Sequence, residues 1–353
     1  MGIVAAMTLS DSSGTRPGPA IPDSMPAIGL YRGLPVSDEA SLQDLTLPVP
    51  RPAGHDLLVE VHAVSVNPVD VKTRASSPAS DSPRVIGYDA VGVVRAIGDA
   101  VTLFKPDDRV WYAGSIARPG SNSRFQLVSE NIVGHRPTSL GDAEAAALPL
   151  TGITAWEGLF DHLGLTADSQ GFLLVVGAAG GVGSMVIQLA KALTGLTVIA
   201  VASRDDSARW VADLGADHVV GRDFADVRGL APDGVDYVFS AFSAQSLPGI
   251  AEVIKPLGHV VSIDTSAPGI DALKPKSVTW HWEYMFTRAV QLPDDTHQHH
   301  VLNALGRLAD EGRIRSTLTT ALEPLDAATL RHAHALVESS ATIGKVVVSG
   351  WPR

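Results

Sequence analysis

The chain has 353 residues, 45% of them hydrophobic and 18% charged, which is enough to build two packed cores. Lys and Arg number 27 against 38 Asp and Glu, and the formal charge of -11 repels a phosphate backbone, which argues against nucleic acid as the main partner. With no cysteine present, disulfides, thiolate nucleophiles and every zinc site built on sulfur are excluded.

In chain order, residues 1–24 are rich in Ser, Gly and Pro and lack the basic start and long apolar core of a signal peptide. They are expected to form a disordered extension, with Met25 an alternative start. No stretch approaches the roughly 20 apolar residues that cross a bilayer, so a cytoplasmic protein without a membrane partner is expected. Over residues 25–150 the β-branched runs "DLLVEVHAVSVN", "DAVGVVRAIG", "DRVWYA" and "RFQLVS" are separated by Gly, Pro, Asp and Asn. That texture predicts an antiparallel or barrel-like β domain. Over residues 151–292 strand-like and helical runs alternate: "FLLVV", a helix through Leu193, "LTVIAVA", a helix around "DSARWVADLG", "DYVFSAF", a helix around "LPGIAEVIKP", then "GHVVSIDT". This alternation predicts right-handed βαβ crossovers and a doubly wound parallel sheet, making the protein α/β. Residues 293–353 add the helix "HHVLNALGRLADEG", the strand "STLTTAL", the helix "DAATLRHAHALVES" and a last strand "GKVVVSG".

The stretch "FLLVVGAAGGVGSMVIQLAKAL" runs a buried strand into a glycine cluster and then into an amphipathic helix. Ala178, Gly180 and Gly183 occupy the first, third and sixth places of a G-x-G-x-x-G fingerprint. Glycine at the third and sixth places lets a pyrophosphate approach the backbone and lets helix and strand pack closely. The helix dipole at that turn favours an anion, and the dinucleotide-binding set here is Ala178, Gly180, Gly181, Val182 and Gly183. The next strand ends in Ser203 and Arg204, where an NAD site would place a carboxylate. A hydroxyl and a guanidinium suit a 2'-phosphate, so NADPH is expected, with Lys191 as a second cation. Asp205 and Asp206 read as the N-cap and first turn of the following helix.

"SVNPVDVKTR", "IGYDAVGVV", "LPLTGITAWEGL", "GAAGGVGS" and "GKVVV" together resemble the medium-chain dehydrogenase/reductase superfamily from Met25 onward. Within it, "KSVTWHWEYMFTR" resembles the zinc-type alcohol dehydrogenase-like proteins, close to the quinone oxidoreductases. The resemblance implies a GroES-like β-barrel catalytic domain, completed by the C-terminal segment, and a Rossmann cofactor domain, with the nicotinamide in the cleft between them. A homodimer through the cofactor-domain sheet is implied as well. In the zinc alcohol dehydrogenases the catalytic metal is held by Cys, His and Cys, with a Glu beside the His. Here "VNPVD" stands at the first cysteine's segment, Tyr88 and Asp89 replace the His-Glu pair, and the second cysteine falls near Leu150. The loop of structural-zinc cysteines is missing too, so no bound metal is expected.

Without a Lewis acid, alkoxide charge on a simple ketone has no stabiliser, whereas a quinone or a conjugated enone or enal spreads that charge over itself. Hydride transfer from NADPH to such a small electrophilic acceptor is the expected reaction. The resemblance implies that Asn67 and Asp70 line the cleft. It also puts Thr154 near the nicotinamide, with a capped helix start as the alternative, and lets Lys345 reach the pyrophosphate. Lys72 stands where many of those enzymes carry a tyrosine, and either polarises the acceptor oxygen or lies in solvent. Tyr88 is a donor on chemistry alone, with core packing the alternative. His297, His299 and His300 of "HQHH" read as a solvated polar turn rather than a metal site. His281 and Glu283 read as a structural pair on one side of a strand, with catalysis the alternative. Two further classes stay open: a zinc-type carbonyl reductase, and an NADPH-binding redox sensor without turnover.

Overall fold

The computed structural model describes residues 21–264 and 269–352, so the extension expected over residues 1–24 lies outside it up to residue 20. The β-branched runs of the first half become β1 (Ser24–Leu30), β2 (Gln43–Pro48), β3 (Asp56–Val66), β4 (Arg84–Val85), β5 (Asp89–Ile97), β6 (Arg109–Tyr112), β7 (Phe125–Ser129) and β8 (Val133–His135). The eleven-residue β3 organises them. It pairs antiparallel with β5 along one edge, and on the other edge β7 takes Asp56–Glu60. The helices α1 (Pro68–Ser76) and α2 (Asp142–Ala146) follow β3 and β8. Pro68 at the first position of α1 supplies a φ suited to a helix start and gives up an N–H that has no intrahelical partner there.

The helix α3 (Pro149–Trp156) runs on into a wider π-type turn at Glu157–His162. Then come β9 (Phe172–Val176), α4 (Gly181–Leu193), β10 (Thr197–Val201), α5 (Asp205–Asp213), β11 (His218–Val220), α6 (Val227–Leu230), β12 (Val235–Ser240), α7 (Ser243–Val253), β13 (Ile254–Ser262) and β14 (Thr279–Trp282). The six strands are parallel in the order β11-β10-β9-β12-β13-β14. Leu173–Val175 and Val198–Ala200 are fully buried, as strands covered on both faces must be. The order reverses between β9 and β12, which opens a crevice at their carboxyl ends. One boundary differs from the sequence reading: α7 begins at Ser243, and "IKP" already belongs to β13, because a strand partner beside β12 claims it.

The chain ends with α8 (Phe286–Gln291), α9 (His297–Asp310), β15 (Leu318–Leu322), α10 (Ala327–Glu338) and β16 (Lys345–Ser349). β16 pairs antiparallel with Ala63–Val66 of β3, so the last strand lies in the sheet of the first domain. Just before it, Gly344 N donates to Ala179 O at 2.8 Å, which sets the C-terminal segment against the glycine turn. Among the described residues no helix is long and apolar enough to cross a membrane.

Candidate functional site

The glycine turn follows directly from β9. Gly177 takes φ 83°, a left-handed conformation that favours glycine. A Cβ on Gly183 would lie 2.5 Å from Gly177 O and 2.6 Å from Ala178 Cα, so only glycine lets α4 sit this close to the strand. Gly180 caps α4 with extended backbone, and Ala178 is buried beneath it. The amides of Gly181, Val182 and Gly183 form the first turn of a 13-residue helix and have no carbonyl four residues back within it. This is an anion-accepting helix end at the switch point of a parallel sheet.

Ser203 and Arg204 lie exposed beyond the carboxyl end of β10. Arg204 is itself the N-cap of α5, and Asp205 and Asp206 make its first turn. The guanidinium donates to Asp206 Oδ1 at 3.2 Å and to Ala341 O at 2.8 Å. Lys191 must be withdrawn from the cofactor set. It lies in the last turn of α4, about 15 Å along the axis from the glycine turn, and its Nζ donates to both oxygens of Asp217 at 2.8 and 2.9 Å.

Beside the turn, five elements meet in a buried polar cluster. Asn67, where β3 passes into α1, donates through its backbone N to Asp70 Oδ2 at 2.7 Å and through Nδ2 to Asp89 Oδ2 at 2.8 Å. Leu150 N, at the start of α3, donates to Asp89 Oδ1 at 2.7 Å. Lys345, first residue of β16, donates from Nζ to Asn67 Oδ1 at 2.5 Å and Val66 O at 2.9 Å, and stands 3.4 Å from Asp89 Oδ2. None of Asn67, Asp70, Asp89 and Lys345 is more than 4% exposed. Burial pushes Asp70 up to about 7, opposed by the Asn67 N–H and the Lys345 charge. Burial also raises Asp89 and lowers Lys345, each opposed chiefly by the charge of the other. Asp70 Oδ1 is buried without a hydrogen-bond partner.

Asn67 and Asp70 are thus brought together, but other expected residues go elsewhere. Lys345 does not extend to a pyrophosphate: its stem passes Gly181, where a Cβ would come 2.6 Å from Lys345 Cδ, and its ammonium is held inside the cluster. Lys72 is exposed on α1. Tyr88 is buried, its hydroxyl 3.3 Å from Thr73 Oγ1 and its ring edge-on to Phe286 at 5.0 Å; burial pushes its phenol up. Thr154 is not a helix cap, because α3 starts five residues earlier, and its hydroxyl donates to Leu150 O at 2.8 Å. Sequence reasoning named Asp89 only as part of the replaced His-Glu pair and not as a site residue, and it did not name Thr151. An acid inside the apolar run "IGYDAVGVV" was the available signal for Asp89, while Thr151, whose methyl closes on Gly181, gave none.

The "HQHH" segment is the first turn of α9, not a solvated polar turn. Buried His299 donates through Nδ1 to Val133 O at 2.7 Å, and His297 Nε2 lies 2.7 Å from Asp161 Oδ2. His300 Nε2 lies 3.4 Å from Thr296 Oγ1. His281 and Glu283 do not pair either: Glu283 falls just past β14 and joins His162 Nε2 at 2.8 Å. Nor do the residues at the zinc-ligand positions fit zinc. They offer a phenol, carboxyls, an amide and an aliphatic Leu150, and the Lys345 ammonium already stands against Asp89.

Residues 53–151 match the family model of the alcohol dehydrogenase GroES-like domain, and residues 214–348 that of the zinc-binding dehydrogenase. A zinc-type alcohol dehydrogenase-like protein of Staphylococcus epidermidis is 39% identical over 339 residues, covering 92% of this chain and 99% of the relative. A solved structure from Rhizobium etli, provisionally described as a zinc-dependent alcohol dehydrogenase, superposes with TM-score 0.90 at 50% identity, covering 94% of this chain and 99% of that one. The quinone oxidoreductase from Coxiella burnetii superposes with TM-score 0.77 at 26% identity over 92% of this chain and 99% of its own. With a GroES-like domain joined to a Rossmann-like domain, the chain belongs to the medium-chain dehydrogenase/reductase superfamily as an oxidoreductase similar to the zinc-type alcohol dehydrogenase-like proteins.

Proposed function

We propose that the protein is an NADPH-dependent reductase of quinones or conjugated enones and enals, working without catalytic zinc and with Asp70 as its proton source. The observation that carries this reading is the Asn67–Asp70–Asp89–Lys345 cluster standing beside the glycine turn in place of metal ligands. NADPH supplies the hydride when bound. The amides of Gly181, Val182 and Gly183 hold its pyrophosphate, and Ser203 and Arg204 receive the 2'-phosphate. Without a Lewis acid, an acceptor that delocalises its own developing charge is the one that reacts. Two-electron reduction needs one proton besides the hydride, whether it forms the ketone or aldehyde from an enone or enal or the neutral hydroquinone from a quinone. With its carboxyl pushed up to about 7, Asp70 is partly protonated at neutral pH, and its Oδ1 has no hydrogen-bond partner among the described residues. Likeness to a quinone oxidoreductase supports the acceptor class.

The same reading includes a homodimer along β14, the edge strand of the parallel sheet. Trp282 and Tyr284, 52% and 53% exposed, stand at that edge, which an unpaired strand otherwise leaves open to further pairing.

The test is loss of NADPH absorbance with purified, metal-free protein and a panel of a quinone, an enone, an enal and a saturated ketone. Turnover of the conjugated acceptors alone supports the proposal. Turnover of the ketone restored by added zinc replaces it with a zinc-type carbonyl reductase, and tight NADPH binding with no turnover replaces it with a redox-sensing role.

A further inference from the structure

Phe242 stands just past the carboxyl end of β12, at the crevice where the strand order reverses, and it is 46% exposed. Its ring packs on the glycine turn: a Cβ on Gly177 would lie 3.0 Å from both Phe242 Cδ2 and Cε2, and Ala241 N donates to Val176 O at 3.1 Å. A phenyl face open to water in a concave site gains stability from whatever covers it. β10 and β12 flank β9 on opposite sides, and Ser203 and Arg204 lie beyond β10. With the pyrophosphate on the first turn of α4 and the adenosine end toward Ser203 and Arg204, the other end of the dinucleotide crosses the β12 side, where Phe242 is.

The corner that carries Phe242 is held from the neighbouring strand. Ser240 at the end of β12, Ser262 at the end of β13 and Ser243 at the start of α7 are all fully buried. Ser240 Oγ accepts from Phe242 N at 3.3 Å. Ser243 Oγ donates to Ser262 Oγ at 2.8 Å, and Ser262 Oγ donates to Asp264 Oδ1 at 2.7 Å. Asp264 Oδ2 accepts from Ser243 N at 2.8 Å and stands 3.5 Å from Ala244 N. Phe242 is itself the N-cap of α7 and has no side-chain acceptor to offer, so a carboxylate from beyond β13 takes the helix's first free N–H, with the sign of charge that the helix start favours. Phe242 has φ -139° and ψ 51°, outside the helical region, and hydrogen bonds to its own N and to the N of the next residue fix that corner.

We infer that Phe242 is the wall on which the nicotinamide-ribose half of the cofactor packs, and that Asp264, acting through Ser262 and Ser243, is the positioning residue that keeps this wall against the glycine turn. The inference rests on the dinucleotide seat proposed above. Asp264 reaches the ring only through the start of α7, and its contacts are with the helix amides and a serine hydroxyl rather than with the open face of Phe242.

The experiment measures binding of NADPH, NADH, ADP and 2',5'-ADP by titration calorimetry; the last two lack the nicotinamide half. Phe242→Ala is expected to weaken NADPH and NADH roughly tenfold and to leave ADP and 2',5'-ADP within about twofold, with Phe242→Leu recovering most of the affinity. Asp264→Ala is expected to give the same pattern at roughly fivefold, and the double variant is expected to bind no more weakly than Phe242→Ala alone, since the carboxylate acts through the ring. Asp264→Asn, which keeps an acceptor at the helix start, is expected to restore binding. If Asp264→Ala does not fold, Ser262→Ala, which cuts the link between Asp264 Oδ1 and Ser243 Oγ, takes its place in the comparison. Equal loss for nicotinamide and adenine ligands in Phe242→Ala, or no loss, overturns the wall. A lower melting temperature in Asp264→Ala with an unmoved ratio of NADPH to 2',5'-ADP affinity overturns the positioning role and leaves a helix cap. Equal affinity of wild type for NADH and NADPH removes the NADPH preference proposed above, while the wall is still decided by NADH against ADP. Binding of none of the four overturns both.

Discussion

Lys345 Nζ lies 2.5 Å from Asn67 Oδ1, and this bond ties the last strand of the chain to the corner where β3 becomes α1. The ammonium is the cation that two buried acids, Asp70 and Asp89, have within the cluster. Its stem also presses on Gly181, so one side chain links the acid cluster to the anion-accepting turn.

Lys345→Met is therefore expected to destabilise the protein by about 3 to 5 kcal/mol, because it leaves buried carboxyls without their counter-charge. Adding Asp89→Asn to that variant is expected to restore part of the loss. Urea unfolding of wild type, single and double variants measures it, and a loss below about 1 kcal/mol in the single variant would contradict the account.

Asp70 is expected to set an alkaline limb in the rate. A general acid with its carboxyl pushed up to about 7 is neutral and holds its proton below that pH, and delivers less above it as it ionises. The rate on a conjugated acceptor should fall about tenfold per pH unit above that point, and Asp70→Asn should lower kcat by about 10²-fold or more while flattening the profile. The stability linkage has the same sign. A raised folded value adds stability that is complete in acid and is lost as pH rises from the unfolded carboxyl value through about 7.

Gly183→Ala is expected to impair folding and NADPH binding together. The added methyl meets backbone, at 2.5 Å from Gly177 O, so α4 must shift away from β9. A stability loss of about 1 to 3 kcal/mol is expected, read by thermal unfolding, with weakened NADPH binding read by fluorescence titration.

Arg204→Ala is expected to weaken NADPH by about 1.5 to 3 kcal/mol, roughly tenfold to a hundredfold, and to leave NADH nearly unchanged. Among the described residues the exposed guanidinium has only Asp206 and the Ala341 carbonyl as hydrogen-bond partners, which it would leave for a 2'-phosphate. Equal loss for both cofactors would show that Arg204 acts through α5 as its N-cap instead.

Dialysis against a chelator is expected to leave the rate on a conjugated acceptor within about twofold, since the donor set around Asp89 suits an ammonium rather than zinc. Zinc analysis of active protein before and after dialysis checks this directly.

Much of the cofactor domain was legible in the sequence because its determinants are local. Apolar strands alternating with amphipathic helices dictate βαβ units, and the sterics at Gly177 and Gly183 act within one turn of chain. The first turn of α5 at Asp205 and Asp206 was readable for the same reason. The destinations of long side chains were not legible, because they depend on partners far away in sequence. Lys191 had the right chemistry for a phosphate, but Asp217 sits where β10 and β11 bring it to the opposite end of α4. Lys345 reaches Asn67 across 278 residues, and Glu157 meets Gln298 across 141, only because β16 returns to β3 and α9 packs beside the end of α3. The sequence by itself determined the turn that accepts an anion, through short-range periodicity and backbone sterics. Tertiary structure alone decided which buried charges balance one another, because the desolvation that perturbs Asp70, Asp89, Lys345, Glu157 and Glu283 exists only once distant strands and helices close over them.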